Sequence, residues 1–253
     1  MTVVHDHAAM PLLEHLRELR TRLIKSLVAL GVGMVLAMPL AYAVIDGLKA
    51  MCVACEIIAI APTESIVTYF RVAIILGLVV ATPVILYQIV AFVSPGLMPN
   101  ERRLLMALLP GASALFALGL AFGYFVALPR AVAFLSTFMG QQAAPTWTLS
   151  NYVAFVTNLL LMIGLSFQTP LVVFVLTKLH LVTPAFLRHY RRHAIVLMAV
   201  LAAVLTPTPD AFTLILVLAP MVVLYELGIV LSWLAVRSRL PGTDLAPPTE
   251  GNT

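Results

Sequence analysis

The chain has 253 residues, of which 62% are hydrophobic and only 10% are charged. A soluble domain of this length needs far more polar surface, so these proportions exclude an ordinary soluble protein and indicate a membrane protein. The formal net charge of +4 does not indicate nucleic-acid binding, because in a membrane protein the positions of the basic residues set the orientation instead.

Six apolar runs predict an all-α membrane protein with six transmembrane helices, at residues 23–45, 66–93, 104–128, 152–177, 193–205 and 211–236. Five runs reach the ~20 residues that cross ~30 Å of hydrocarbon. The fifth in the chain offers 12 apolar residues, Ala194 to Leu205, or about 18 Å of helix. Pro207 and Pro209 follow it and cannot continue a helix, so the last two runs are predicted to form a short hairpin.

The same pattern divides the chain into three parts. Residues 1–22 are predicted to be an amphipathic cytoplasmic segment, 23–236 the transmembrane domain, and 237–253 a disordered cytoplasmic tail rich in Pro, Gly and Thr. The segment 130–140 has apolar residues at helical spacing, and we expect it to lie on the membrane surface or cap the helices.

The distribution of Lys and Arg predicts that both termini are cytoplasmic. Three basic residues fall on one side of the predicted membrane: Lys49, Arg71 and Arg130. Twelve fall on the other: Arg17, Arg20, Arg22, Lys25, Arg102, Arg103, Lys178, Arg188, Arg191, Arg192, Arg237 and Arg239. Positively charged segments stay inside, so the richer side is assigned to the cytoplasm.

Prolines inside five of the runs predict kinked helices: Pro39, Pro83, Pro110, Pro170 and Pro220. Each frees a backbone carbonyl, and several bent helices together form a concave wall instead of a tight parallel bundle. The alternative is that proline is simply common in membrane helices.

Two acidic residues at predicted helix starts, Glu18 and Glu101, could each accept a guanidinium through paired hydrogen bonds. Together they would suit a ligand with two adjacent arginines. From spacing alone the structural alternatives lead: Glu18 precedes Arg22 by four residues, the spacing of an ordinary helix ion pair, and Glu101 follows Asn100 where an acid favours the helix dipole.

Three polar residues in or beside the apolar runs are further candidates: Gln168, Glu226 and Asp210. Ionisable groups in a bilayer are costly, so we expect them to face protein or water. Gln168 alternatively satisfies the backbone loosened by Pro170, and Glu226 alternatively extends to the cytoplasmic interface.

Cys52 and Cys55 form the only C-x-x-C, whose spacing also occurs in thiol oxidoreductases. An incidental or structural disulfide is favoured, because electron transfer would need a second pair. Hydrolase, metalloprotease and phosphate-loop motifs are absent from the sequence, so we expect no enzyme, cofactor or metal.

The chain resembles the TatC family, the polytopic core of the twin-arginine protein translocase, from about residue 11 to 236. The motifs that carry the resemblance are His15-Leu16-x-Glu18-Leu19-Arg20-x-Arg22, Pro83-Val84-Ile85-Leu86-Tyr87-Gln88, Pro95-Gly96-Leu97, Glu101-Arg102-Arg103, Gly164-x-x-Phe167-Gln168-x-Pro170, Thr206-Pro207-x-Pro209-Asp210 and Leu224-Tyr225-Glu226.

The resemblance implies six helices in a cupped wall in the bacterial cytoplasmic membrane. It implies that Glu18 and Glu101 contact the paired arginines of signal peptides, with His15 and Arg20 shaping the same surface. It places Gln168, where the family often has glutamate, in the hollow of the wall. It also implies single-span TatA-type partners, with a TatB-type subunit as a second candidate, and Glu226 at a partner-docking edge.

The sequence, with this resemblance, predicts a signal-peptide receptor and assembly core for the export of folded proteins. The chain is predicted to self-associate in the complex and to contact membrane lipid. A proton-coupled small-solute transporter using Glu226 and Gln168 is the rival prediction, and a thiol oxidoreductase using the two cysteines is a third.

Overall fold

Helices make up most of the part of the chain that the computed structural model describes, which comprises residues 12–52, 56–96, 99–138, 146–179, 181–205 and 210–237. The helices are α1 Leu12–Ala50, α2 Pro62–Val93, α3 Pro99–Phe122, α4 Leu128–Thr137, α5 Leu149–Ser166, α6 Thr169–Lys178, α7 Pro184–His189, α8 Arg191–Leu205 and α9 Ala211–Arg237. The strands β1 Glu56–Ile58 and β2 Thr146–Thr148 pair in parallel.

Five helical stretches within these residues are long and apolar enough to cross a membrane: Leu13–Ala50, Pro62–Val93, Arg102–Thr137, Leu149–Lys178 and Ala211–Leu234. They coincide with five of the six predicted runs. The remaining run corresponds to α8, whose 15 residues give about 22 Å of helix. The chain is thus a helical, multi-pass membrane protein.

Two of the predicted runs have unexpected boundaries. α3 continues through one π-helical segment, Gly123–Ala127, into α4, so most of the segment 130–140 extends a membrane helix. α5 and α6 are separated by a turn at Phe167 and Gln168, with Pro170 in the first turn of α6. Pro83 and Pro220 lie inside α2 and α9, which continue through them.

α1 and α2 approach each other closely at two glycines. A Cβ built on Gly33 would lie 2.6 Å from the carbonyl oxygen of Gly77, and one built on Gly77 would lie 2.5 Å from the amide nitrogen of Met34. Two backbones that approach this closely leave no room for a side chain, which is how small residues bring membrane helices together.

The core of the protein lies around α5. Its side chains Tyr152, Phe155, Leu159 and Ile163 are almost completely buried, and the Tyr152 hydroxyl donates to the Leu48 carbonyl on α1 at 2.7 Å. On the other side of the molecule, α6 contacts α9 through the hydroxyls of Thr177 and Ser232, 2.7 Å apart. The β1–β2 pair adds a polar link between the loops that precede α2 and α5.

Candidate functional site

The N-terminal turns of α1 and the C-terminal turn of α2 form the candidate site. Arg22 lies between the two helices: its Nη2 donates to Glu18 Oε1 at 3.2 Å, and its Nη1 donates to Gln88 Oε1 at 3.2 Å. Glu18 and Arg22 are half-buried, and Gln88 is buried on α2. The predicted ion pair between Glu18 and Arg22 is therefore present, and it is part of a contact between helices.

His15 strengthens the same junction. Its ring stacks on that of Phe92, with centroids 4.4 Å apart and planes inclined by 20°. Because His15, Glu18 and Arg22 follow one another at three- and four-residue intervals, they share the face of α1 that meets α2. His15 and Glu18, which were predicted as neighbours in one site, are brought together.

Arg20 points elsewhere. It lies about 160° around the helix from Glu18, and it lines a pocket with Arg17, Thr21 and Lys25. Of the three predicted signal-peptide residues whose side chains the structure describes, Arg20 is the one that the fold separates from the junction. Glu101 belongs to the first turn of α3, and its side chain lies outside the described residues.

Gln168 occupies the turn between α5 and α6. Its Nε2 donates to the carbonyl oxygen of Ala112 on α3 at 2.9 Å, so the side chain connects two helices across a sequence separation of 56 residues. Its Oε1 is buried and has no hydrogen-bond partner among the described residues. A buried acceptor without a partner is costly and remains available to a donor.

Asp210 lies at the start of α9, and Glu226 lies near its middle. The Glu226 Oε1 and the Arg191 Nε are 2.5 Å apart, which is an ion-pair distance. The geometry of this contact is not that of a well-directed hydrogen bond. Beside it, the Tyr225 hydroxyl donates to the Leu187 carbonyl at 2.9 Å. Asp210 caps α9, since its Oδ1 accepts from the Thr213 amide at 2.6 Å.

Other candidates from the sequence have simpler surroundings. Cys52 is buried and disulfide-bonded, while Cys55 lies outside the described residues. Among the residues that the structure describes, no three His, Cys, Asp or Glu side chains are grouped so that they could hold a metal ion.

Gln88 was not among the residues predicted to have a role. It is a polar residue in an apolar run, which is the signal that singled out Gln168, and it is 7% exposed. Its link to Arg22 crosses 66 residues of sequence, and only the fold reveals it.

The chain matches known proteins along most of its length. Residues 14–220 match the family described as Sec-independent protein translocase protein (TatC). A TatC from Aquifex aeolicus is 38% identical over 236 residues, covering 91% of this chain and 98% of the relative. One from Carboxydothermus hydrogenoformans is 36% identical over 226 residues, covering 87% and 91%.

A solved structure agrees with the sequence matches. The crystal structure titled Twin Arginine Translocase Receptor-TatC superposes with a TM-score of 0.80 at 37% identity, covering 88% of this chain and all of that one. A family match across most of the chain, several relatives above 30% identity and the same fold lead to one conclusion: this chain belongs to the TatC family.

Proposed function

We propose that this chain is the receptor for twin-arginine signal peptides and the assembly core of a translocase that exports folded proteins across the bacterial cytoplasmic membrane. The observation that carries the proposal is the family match over residues 14–220, together with the likeness to a structure named as the twin-arginine translocase receptor.

Glu18 is proposed to contact one arginine of the signal peptide. Its carboxylate is 20% exposed and holds Arg22 through one oxygen, so it already binds a guanidinium in the resting protein. An incoming arginine can replace Arg22 or bind beside it. A planar guanidinium binds a carboxylate through two parallel hydrogen bonds, and a lysine ammonium cannot, which gives arginine its advantage.

Glu101 is proposed to bind the second arginine. It lies in the first turn of α3, and Glu18 likewise lies near the start of α1. The ring of His15 against Phe92 supports the surface by fixing the start of α1 against the end of α2. Arg20 is proposed to shape the recognition surface from the far side of α1, outside the contact between Glu18 and Arg22.

The membrane arrangement is proposed to include a sixth span. α8 is shorter than the other candidate spans, and its apolar side chains Val196, Leu197, Val200 and Val204 are exposed in the isolated chain, as a lipid- or partner-facing helix requires. With six spans both termini lie on the side with twelve basic residues, which the positive-inside rule assigns to the cytoplasm.

Within this arrangement, kinks at Pro83, Pro170 and Pro220 are proposed to curve the wall. The interruption of α5 and α6 just before Pro170 supports the second of these. Gln168, with its unpartnered Oε1, is proposed to offer an acceptor in the hollow, although it cannot supply a charge there.

The hairpin of α8 and α9 is proposed to dock TatA-type subunits, with a TatB-type subunit as the alternative partner, and the complex to contain more than one copy of this chain. Its outer side is apolar and exposed along α9, at Ile215, Val223 and Val230, and the ion pair of Glu226 with Arg191 ties the two helices together at one end.

The rival functions find no support in the comparisons. The relatives described above carry the name of a protein translocase component, not of a solute transporter or a thiol oxidoreductase. In the fold, Glu226 pairs with Arg191 instead of standing free for proton transfer.

Peptide binding tests the proposal. A twin-arginine signal peptide and its Lys-Lys counterpart are titrated against purified protein, its Glu18→Ala and Glu101→Ala variants, and Glu14→Ala as a control that removes an exposed acid one turn away on α1. We expect roughly tenfold tighter binding of the Arg-Arg peptide, equivalent to about 1.4 kcal/mol, lost in the first two variants only.

Failure of a well-folded sample to bind either peptide would contradict the receptor function. Equal loss of the arginine preference in all three variants would instead show that total charge, not the two proposed carboxylates, recognises the peptide.

A further inference from the structure

One flank of α1, centred about 90° around the helix from Glu18, carries a basic pocket of about 470 Å³. It is lined by Arg17, Arg20, Thr21, Ile24 and Lys25, so it contains three cations and no acid. Glu18 is directed to Arg22 and does not line the pocket, and the exposed Glu14 lies one turn nearer the N-terminus and does not line it either. The pocket therefore favours an anion.

An apolar groove of about 490 Å³ adjoins this pocket and lies between α1 and α2. Ile24 and Lys25 line both, so the basic and apolar parts are continuous. Val28, Val32 and Leu36 form one wall of the groove, and each is more than half exposed. Val80 and Val84 of α2 form the other wall, and Gln88, the partner of Arg22, also lines the groove.

The dimensions of the groove match one leaflet of a bilayer. From Lys25 to Leu36 is 11 residues, or about 16 Å along the helix at ~1.5 Å per residue. This is close to half of the ~30 Å hydrocarbon thickness. The cations therefore lie where headgroups meet the acyl region, with the apolar groove running inward from them.

We propose that the joined grooves bind one anionic phospholipid, with its phosphate at Arg17, Arg20 and Lys25 and one acyl chain along Val28, Val32 and Leu36. Three cations at the membrane surface attract anionic headgroups. The same three cations disfavour a cationic occupant, so this pocket is expected to hold an anion and not the paired arginines of a signal peptide.

Lipid retention on the purified full chain tests the site. Native mass spectrometry compares dioleoyl phosphatidylglycerol with dioleoyl phosphatidylethanolamine, which share acyl chains and differ in net charge. The variant is Arg17→Gln with Lys25→Gln, which spares Arg20. The matched control is Arg188→Gln with Arg192→Gln, which removes two exposed cations on α7 and α8 outside both grooves.

We expect the phosphatidylglycerol adduct to be retained at least tenfold better than the phosphatidylethanolamine adduct. The Arg17 and Lys25 variant is expected to weaken its affinity roughly thirtyfold, and the control less than threefold. Ala29→Phe, which puts a large ring into the apolar groove, should weaken lipid binding with every cation still in place. Soluble glycerol phosphate, which has the anion without the chain, should not compete.

Several results would overturn the proposal. These are equal retention of the two lipids, equal loss in the control variant, or full competition by glycerol phosphate. Displacement of the lipid by a signal peptide that crosslinks to Val28→Cys would show that the peptide is the occupant of the groove. The receptor function is measured separately by the Arg-Arg preference of Glu18, so failure of one assay leaves the other intact.

Discussion

At the scale of single residues, Arg22 is the side chain on which the junction of α1 and α2 depends. It joins Glu18 to Gln88 with two 3.2 Å hydrogen bonds. If the signal peptide supplies a guanidinium to Glu18, Arg22 competes with it. The peptide arginine then has to bind Glu18 more strongly than Arg22 does.

Arg22→Gln tests this competition. With the competitor gone, we expect the Arg-Arg peptide to bind about fivefold tighter, which corresponds to about 1 kcal/mol, the upper value for a partly exposed ion pair. Gln88→Leu serves as the control, because it removes the link to α2 and leaves the ion pair to Glu18. Weaker peptide binding by Arg22→Gln would show that Arg22 positions Glu18 for the peptide.

The sequence predicted the ion pair of Arg22 with Glu18 but not the contact of Arg22 with Gln88. The four-residue spacing of Glu18 and Arg22 is a local property of one helix, so the ion pair followed from it. The contact with Gln88 depends on how α1 crosses α2, and no local pattern encodes that crossing. The same applies to Gln168, whose polarity marked it but whose partner on α3 emerged only from the fold.

At the scale of elements, the approach of α1 to α2 at Gly33 and Gly77 fixes that crossing. Gly33→Ala would place a Cβ 2.6 Å from the Gly77 carbonyl oxygen, and backbone cannot yield as a flexible side chain can. We expect a loss of about 1–3 kcal/mol, typical of overpacking, seen as a lower melting temperature in detergent. Gly31→Ala is the control.

Gly31 lies two residues earlier on the same helix, and a Cβ there meets nothing within 4 Å. Replacing this glycine gains up to about 1 kcal/mol of helix propensity. The two alanine variants should therefore shift the melting temperature in opposite directions. If both raised it, the contact of α1 with α2 would be looser than the structure shows.

Element boundaries illustrate what hydropathy can predict. Five long runs coincide with candidate spans because the ~20-residue requirement is set by the bilayer and is visible in composition. The three-residue strands β1 and β2 were not predicted, since their pairing joins residues 90 positions apart, as Glu56 with Thr146. The continuity of α3 into α4 depends on a π-helical segment that likewise has no hydropathy signal.

At the scale of the whole molecule, α5 is surrounded while the other spans each keep an apolar outer face. Its buried Tyr152 donates to Leu48 of α1, α2 also contacts it, and α3 packs on it where Gly119 meets Phe167 and Gly164. The short α8 lies at the periphery with α9. Whether it crosses the bilayer decides on which side the chain reaches residue 210, and hence the orientation of α9.

Chemical labelling measures this crossing. Single cysteines replace Arg188, before α8, and Thr208, after it, in a full-length chain carrying Cys52→Ser and Cys55→Ser. In spheroplasts, a membrane-impermeant maleimide should label Thr208→Cys and leave Arg188→Cys unlabelled, and inside-out vesicles should reverse the result. A six-span chain with cytoplasmic termini requires this pattern, because the basic cluster at Arg188, Arg191 and Arg192 stays inside. Labelling of both positions from one side would show that α8 returns without crossing, leaving five spans and the two termini on opposite faces of the membrane.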